Sequence, residues 1–140
     1  MNLIFLETDK AFFDWVASAL KGHHCTLAKT VEEAENVLVA EHYDACFVDM
    51  SAFGDSAAIV IARARVACRK CPLIMLTGKE ARADLIKVCD GFVCKGSLTN
   101  PETEIPRAVE VVTKRQDAAH PMDLTQKLFN VVTALRLSAP

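Results

Sequence analysis

An acid, a second acid, a hydroxyl and an ammonium stand at the ends of four short apolar runs in this chain. Leu3-Ile4-Phe5-Leu6 leads into Glu7-Thr8-Asp9, and Ala45-Cys46-Phe47-Val48 leads into Asp49. Leu73-Ile74-Met75-Leu76 leads into Thr77, and Gly91-Phe92-Val93-Cys94 delivers Lys95. Carboxylates hold a hard cation, a hydroxyl donates a hydrogen bond, and an ammonium pairs with anionic oxygen. Gathered in one crevice, these groups suit the reception of a phosphoryl group. Parallel buried strands would gather them, because their C-terminal ends share one edge of a sheet, where open α/β sheets bind ligands.

The elements needed for that arrangement can be read between the runs. After a strand at about 2–7, Phe12, Phe13, Val16, Ala19 and Leu20 recur at helical spacing over about 10–21. Asp9 is placed to cap this helix and Gly22 to end it. A short strand at 25–28 precedes Thr30-Val31-Glu32-Glu33, a capping box that opens a helix with Ala34, Val37 and Leu38 on one face. Strands at about 44–49, 72–77 and 91–95 alternate with helices at about 55–69 and 79–88. Asn100-Pro101 is a cap followed by a first-turn proline, opening a helix with Ile105, Ala108, Val109 and Val112. Such alternation with short connections predicts a parallel sheet covered on both faces, wound in both directions by right-handed crossovers.

One helix is left over. Asp123-Leu124-Thr125-Gln126 can cap it, and Leu124, Leu128, Val131, Val132 and Leu135 form its apolar stripe. The stripe can pack back on the domain, form a homodimer contact or connect to another partner. His120-Pro121 separates it from the preceding helix, dividing the chain into 1–118 and an extra C-terminal helix at 119–140.

Composition narrows the class. The 140 residues fit one domain, and 51% hydrophobic with 24% charged residues can build a full core. A formal net charge of −2 gives no global field toward nucleic acid. Arg63, Arg65, Arg69 and Lys70 gather near a helix end, where cations complement the helix dipole, and are read as solvated. No apolar stretch is long enough to span a bilayer, and the opening run of four apolar residues lacks the features of a secretory signal. A soluble cytoplasmic protein without direct membrane or nucleic-acid contact is the expectation.

The six cysteines fit a reducing compartment. Cys68-x-x-Cys71 with Cys89 and Cys94 has zinc-ribbon spacing on paper. Strand placement opposes it: the first three precede strands, whereas Cys94 ends one, roughly 17 Å away across a five-residue strand. Free structural thiols are the plain reading, with a Cys68–Cys71 redox pair as the sharper one. His23 and His24 beside Cys25 are placed in a loop.

The order and spacing of the four strand ends resemble a response-regulator receiver domain, the switch module of two-component signalling, over about residues 2–116. The resemblance implies a flavodoxin-like, doubly wound, five-stranded sheet of order 2-1-3-4-5. It implies that Asp49 takes a phosphoryl group from a histidine kinase or phosphotransfer protein, with Thr77 and Lys95 contacting the phosphoryl oxygens. It implies a magnesium ion held by Glu7, Asp49 and the backbone carbonyl of Ser51. Thr77 and Phe92 would then move together to switch a partner-binding surface. Gly78 suits the family's small residue after the hydroxyl.

Several positions depart from that pattern. Thr8 stands where the family has its direct metal-binding aspartate, so magnesium should be held more weakly. Asp9 matches a third, often acidic position; it either turns inward to compensate or caps the helix. Ser51-Ala52-Phe53-Gly54 replaces a methionine-proline step, which loosens the loop and lets Phe53 cover the pocket. Gly96 follows Lys95 where the family has proline in a cis bond. A cis bond to glycine costs about 2.5–4 kcal/mol, so a trans bond is expected, with Lys95 re-aimed. Three functions follow: a phosphorylated receiver that is a switch rather than an enzyme, a pseudo-receiver binding module working without phosphate, or an enzyme with thiol chemistry. The last is opposed by the lack of a Ser-His pair and of a Gly-rich phosphate loop after the first strand.

Overall fold

The computed structural model describes residues 1–68, 70–78, 85, 87–118 and 124–138. Strand β1 is Asn2–Leu6, β2 His24–Ala28, β3 Ala45–Asp49, β4 Leu73–Thr77 and β5 Gly91–Cys94. The five pair in parallel in the order β2-β1-β3-β4-β5. This is the doubly wound sheet that the alternation of elements predicted. β1, β3 and β4 are apolar on both sides because both faces are covered, the signature of a buried parallel sheet.

Helix α1 runs Lys10–Ala19, α2 Val31–Ala40, α3 Ala57–Ala67, α4 Pro101–Ala118 and α5 Leu124–Ser138. Their starts are set by local chemistry. Asp9 caps α1 by accepting from the Phe12 amide at 3.0 Å. Thr30 caps α2 by accepting from the Glu33 amide at 3.2 Å, while Glu33 reaches back to the Lys29 amide at 2.8 Å. At α4, Glu104 accepts from the amides of Asn100 (2.7 Å) and Thr99 (3.0 Å), closing a capping box around the proline start. Gly22 adopts φ 87°, the left-handed conformation that ends α1's turn without a side-chain penalty.

Two cores result. One face packs Leu3, Phe5, Phe47, Ile74 and Leu76 against α1 and α4. Phe5 and Phe47, paired across β1 and β3, stack with ring centroids 4.8 Å apart. The other face packs Ile4, Cys46, Val48 and Met75 against α2 and α3. β5 closes tightly on α4, since a Cβ on Gly91 would lie 2.7 Å from Val112.

The leftover helix packs back on the domain. α5 lies on α3, and Val131 and Ala134 enter the α2–α3 core while Phe129 and Val132 stay exposed. The helix read at 79–88 falls mostly outside the described residues, as do Arg69, His120-Pro121 and the Asp123 cap. Among the described residues no helix is long and apolar enough to cross a membrane.

The reading of the basic cluster needs correction. Arg65 is not solvated: it is 1% exposed and its guanidinium donates to Asp90 at 2.9 Å and to the Val88 carbonyl at 3.3 Å. Arg63 reaches Glu32 at 3.1 Å and also pairs with Glu35 across α2. Both arginines thus brace α3 against its neighbours.

Candidate functional site

Register sets the site. Leu6 pairs with Val48, Asp49 with Leu76, and Thr77 with Cys94, so all four strand-end residues emerge at the same edge. Glu7 follows β1 directly and is fully buried; Asp49 ends β3 and Thr77 ends β4, both nearly so. Lys95 follows β5 as the first residue of a short 3-10 turn, Lys95–Ser97.

The ammonium of Lys95 joins both acids. Its Nζ donates to Glu7 Oε2 at 2.9 Å and to Asp49 Oδ2 at 3.1 Å. It also sits 4.2 Å from the centroid of the Phe12 ring, a cation–π contact that shields the ion pair on the α1 side. The other oxygens are filled by backbone and hydroxyl donors. Glu7 Oε1 accepts from the Asp9 amide at 2.9 Å. Asp49 Oδ1 accepts from the Ser51 amide at 3.1 Å and the Ser51 hydroxyl at 2.8 Å.

These contacts sort the two acids. Burial, and then the neighbouring Asp49 carboxyl, hold Glu7 above the usual carboxylate range. Burial also pushes Asp49 upward, but hydrogen bonds with Glu7, Ser51 and Lys95 and the lysine's charge outweigh it, leaving Asp49 below the usual range. Burial pulls Lys95 down, yet its bonds to Glu7 and Asp49 raise it overall. Asp49 is thus the more acidic of the two carboxyls, and Glu7 is the one that takes up a proton more readily.

Other expected residues are placed differently. The Thr77 hydroxyl donates to the carbonyl of Gly78 at 3.3 Å. Phe92 points outward, 58% exposed. Thr8 is exposed, and Asp9 is engaged as the α1 cap, so capping rather than inward compensation is its role. Phe53 packs against the α2–α3 core. No cis peptide occurs among the described residues, and Lys95-Gly96 is trans, with Lys95 still aimed at both acids.

Two contributors were not singled out in the sequence. Phe12 was read only as part of a helical stripe, although its place in the first turn after the acidic cluster sets it over the crevice. Ser51 was assigned only a carbonyl, although a serine two residues after an aspartate is a known turn-forming pair. A wide hollow of about 760 Å³ lies at the opposite sheet edge between Tyr43, Pro72 and Val109, and none of the four strand-end residues lines it.

The donor set suits a hard cation only in part. Glu7, Asp49 and the Ser51 carbonyl are oxygen donors of the type magnesium takes. Two carboxylates are the whole acidic complement, and no group of three or more His, Cys, Asp or Glu side chains is arranged for a metal among the described residues. Such a set fits a magnesium ion that keeps most of its waters.

No family model matches the chain, and no curated protein does. Solved structures do. A CheY-like response-regulator receiver domain protein from Methanospirillum hungatei superimposes with a TM-score of 0.66 at 17% identity, covering 84% of this chain and 98% of that one. A response regulator from Thermotoga maritima gives 0.65 at 22% identity, covering 80% and 97%. The fold is that of a receiver domain. A structure described as an adenylate cyclase from Rhodopirellula baltica shares it as well, with a TM-score of 0.65 at 20% identity and coverage of 83% and 89%. In this receiver fold the acidic strand ends and the lysine converge as the sheet topology requires.

Proposed function

We propose that this chain is a phosphoryl-accepting receiver whose acceptor is Asp49. The observation that carries the reading is the joining of Glu7 and Asp49 by one ammonium, with Asp49 ionised and buried at the strand end. Asp49 attacks the phosphorus of a phosphohistidine on a histidine kinase or phosphotransfer protein. The new O–P bond forms as the N–P bond breaks, and the imidazole leaves. Lys95 releases one carboxylate to pair with the phosphoryl oxygens, and the Thr77 hydroxyl leaves the Gly78 carbonyl to donate to them. Magnesium, held by Glu7, Asp49 and the Ser51 carbonyl, supplies charge neutralisation when bound. Phe92 turns inward in concert, and the altered surface is read by a partner.

The test is incubation with acetyl phosphate and magnesium, followed by intact mass. One added phosphoryl group is expected on the native chain and none on Asp49→Asn. A native chain that stays unmodified would sink the proposal; an adduct surviving Asp49→Asn would move the acceptor elsewhere.

A second reading is favoured by Thr8. That exposed hydroxyl supplies no charge to the cation site, and Lys95 already balances the acids. On this reading the chain is a pseudo-receiver that binds a partner without phosphate. Thr8→Asp tests that ground, because it restores a carboxylate beside Glu7. Calorimetry should show magnesium binding tightened by about 1–2 kcal/mol, roughly 5- to 30-fold. Unchanged affinity would mean that position 8 does not face the cation.

A further inference from the structure

Four thiols and a buried guanidinium meet at the sheet edge opposite the acids. Cys68 ends α3 as its C-cap, Cys71 lies just before β4, Cys46 lies in β3 and Cys89 just before β5. Each of them feels the charge of Arg65. All are free thiols. Cys68 and Cys71 are 4% and 7% exposed and belong to the same core cluster. Cys68 Sγ also donates to the Cys71 carbonyl at 3.4 Å, and Cys71 Sγ to the Pro72 carbonyl at 3.5 Å.

We propose that Cys68 and Cys71 are a peroxide-sensitive dithiol, with Cys68 the attacking sulfur and Cys71 the resolving one. Three independent features support it. The two cysteines stand three positions apart and the Cys68 sulfur already reaches the Cys71 carbonyl at 3.4 Å, so a bond between the sulfurs closes a short loop. Arg65 Nε is buried and has no hydrogen-bond partner among the described residues, a donor without an acceptor beside a thiol that can become a thiolate. The pair also lines a cavity of about 90 Å³ with His42, Tyr43 and Lys70, which admits an oxidant of peroxide size.

The environments divide the roles. The neighbouring Cys71 thiol lowers Cys68 most, and the Arg65 charge adds to it against burial. The neighbouring Cys68 thiol and burial raise Cys71. Burial raises Cys46 and Cys89. The thiolate is the nucleophile, so attack begins at Cys68. Its sulfur attacks one oxygen of hydrogen peroxide; an S–O bond forms, the O–O bond breaks, and hydroxide leaves and takes the Cys68 proton as water. Cys71 then attacks the Cys68 sulfenic acid. The S–S bond forms, the S–O bond breaks, and the second hydroxide takes the Cys71 proton. The two thiols lose two electrons and one peroxide becomes two waters.

The experiment treats the reduced full chain with hydrogen peroxide and maps thiols by alkylation under denaturing conditions with peptide mass spectrometry. Cys94 is half-buried and lowered by hydrogen bonds from Ser97, so its oxidation shows that peroxide has reached the protein. A Cys68–Cys71 disulfide is expected, formed about ten-fold faster than any oxidation at Cys25, which burial raises. Cys71→Ser should leave a sulfenic acid on Cys68 that a cyclic diketone traps, and Cys68→Ser should leave Cys71 unmodified. Full alkylation of both thiols while Cys94 is oxidised would overturn the proposal, as would trapping on Cys71 in the Cys68→Ser chain. Mapping of the native chain decides the matter if either variant does not fold. Asp49 takes no part, so this test is independent of the phosphoryl reading.

Discussion

Lys95→Met should lower the free energy of unfolding by about 3 kcal/mol, with the deficit growing as pH rises. The substitution keeps an unbranched stem against Phe12 but removes the only cation seen between Glu7 and Asp49 among the described residues. Two carboxylates are then left facing each other, one fully buried and one nearly so. At low pH the loss is softened, because Glu7 is already raised by burial and by Asp49 and accepts a proton. A carboxyl whose folded pKa is raised above its unfolded value adds stability below the unfolded pKa. That stability is lost as pH rises through the folded pKa. Without the ammonium Glu7 rises further and Asp49 rises from its lowered position, so the gap from the native chain widens through that window. Urea unfolding at about pH 5 and about pH 8 measures it. Equal losses at both would mean that lysine's packing on Phe12, not its charge, holds the site. Adding Glu7→Gln to Lys95→Met should recover most of the loss, since one carboxylate no longer needs a counter-charge.

Asp90→Ala should cost about 3–5 kcal/mol, roughly twice the effect of Arg65→Met. The two residues form one ion pair at 2.9 Å, yet they are not equally dependent on it. Arg65 is 1% exposed and would keep only the Val88 carbonyl at 3.3 Å among the described residues. Its Nε already lacks a partner among the described residues. Removing Asp90 therefore strands a guanidinium in the α2–α3 core. Asp90 also accepts from the Leu73 amide at 2.8 Å and its side chain is 10% exposed, so it retains a donor and some water when arginine becomes methionine. Chemical denaturation of both variants gives the comparison, and a larger loss for Arg65→Met would reverse the assignment.

The sheet was legible because its information is local and repeated. Apolar runs of strand length, each ending in a polar residue and followed by a capped helix, leave little topological choice. Glu7, Asp49 and Lys95 were legible for the same reason, since register carries strand ends to one edge. Arg65 was not. A basic cluster at a helix end resembles a solvated one, and nothing near position 65 in the chain announces that Asp90, which follows the next strand, will meet it inside. Phe12 was hidden by its own pattern, because a ring that belongs to an apolar stripe gives no sign that its face will meet an ammonium. The outward Phe92 and the turn of Thr77 toward Gly78 concern rotamers, which residue type and spacing leave open.

The docking of α5 bears on α3 more than on the chain end. In α3 a broad face is covered: Ala57, Ala58, Val60, Ile61, Ala64 and Arg65 are all buried, while Ile59 and Val66 stay exposed. With the sheet below it, α2 beside it and α5 against it, α3 is covered along that whole face. Its alanines let α5 come close, and Val131 and Ala134 share a core with strands β3 and β4. Loosening the last helix would therefore wet the layer beneath Asp49's own strand, tying the fate of the final fifteen-residue helix to the cooperativity of the sheet.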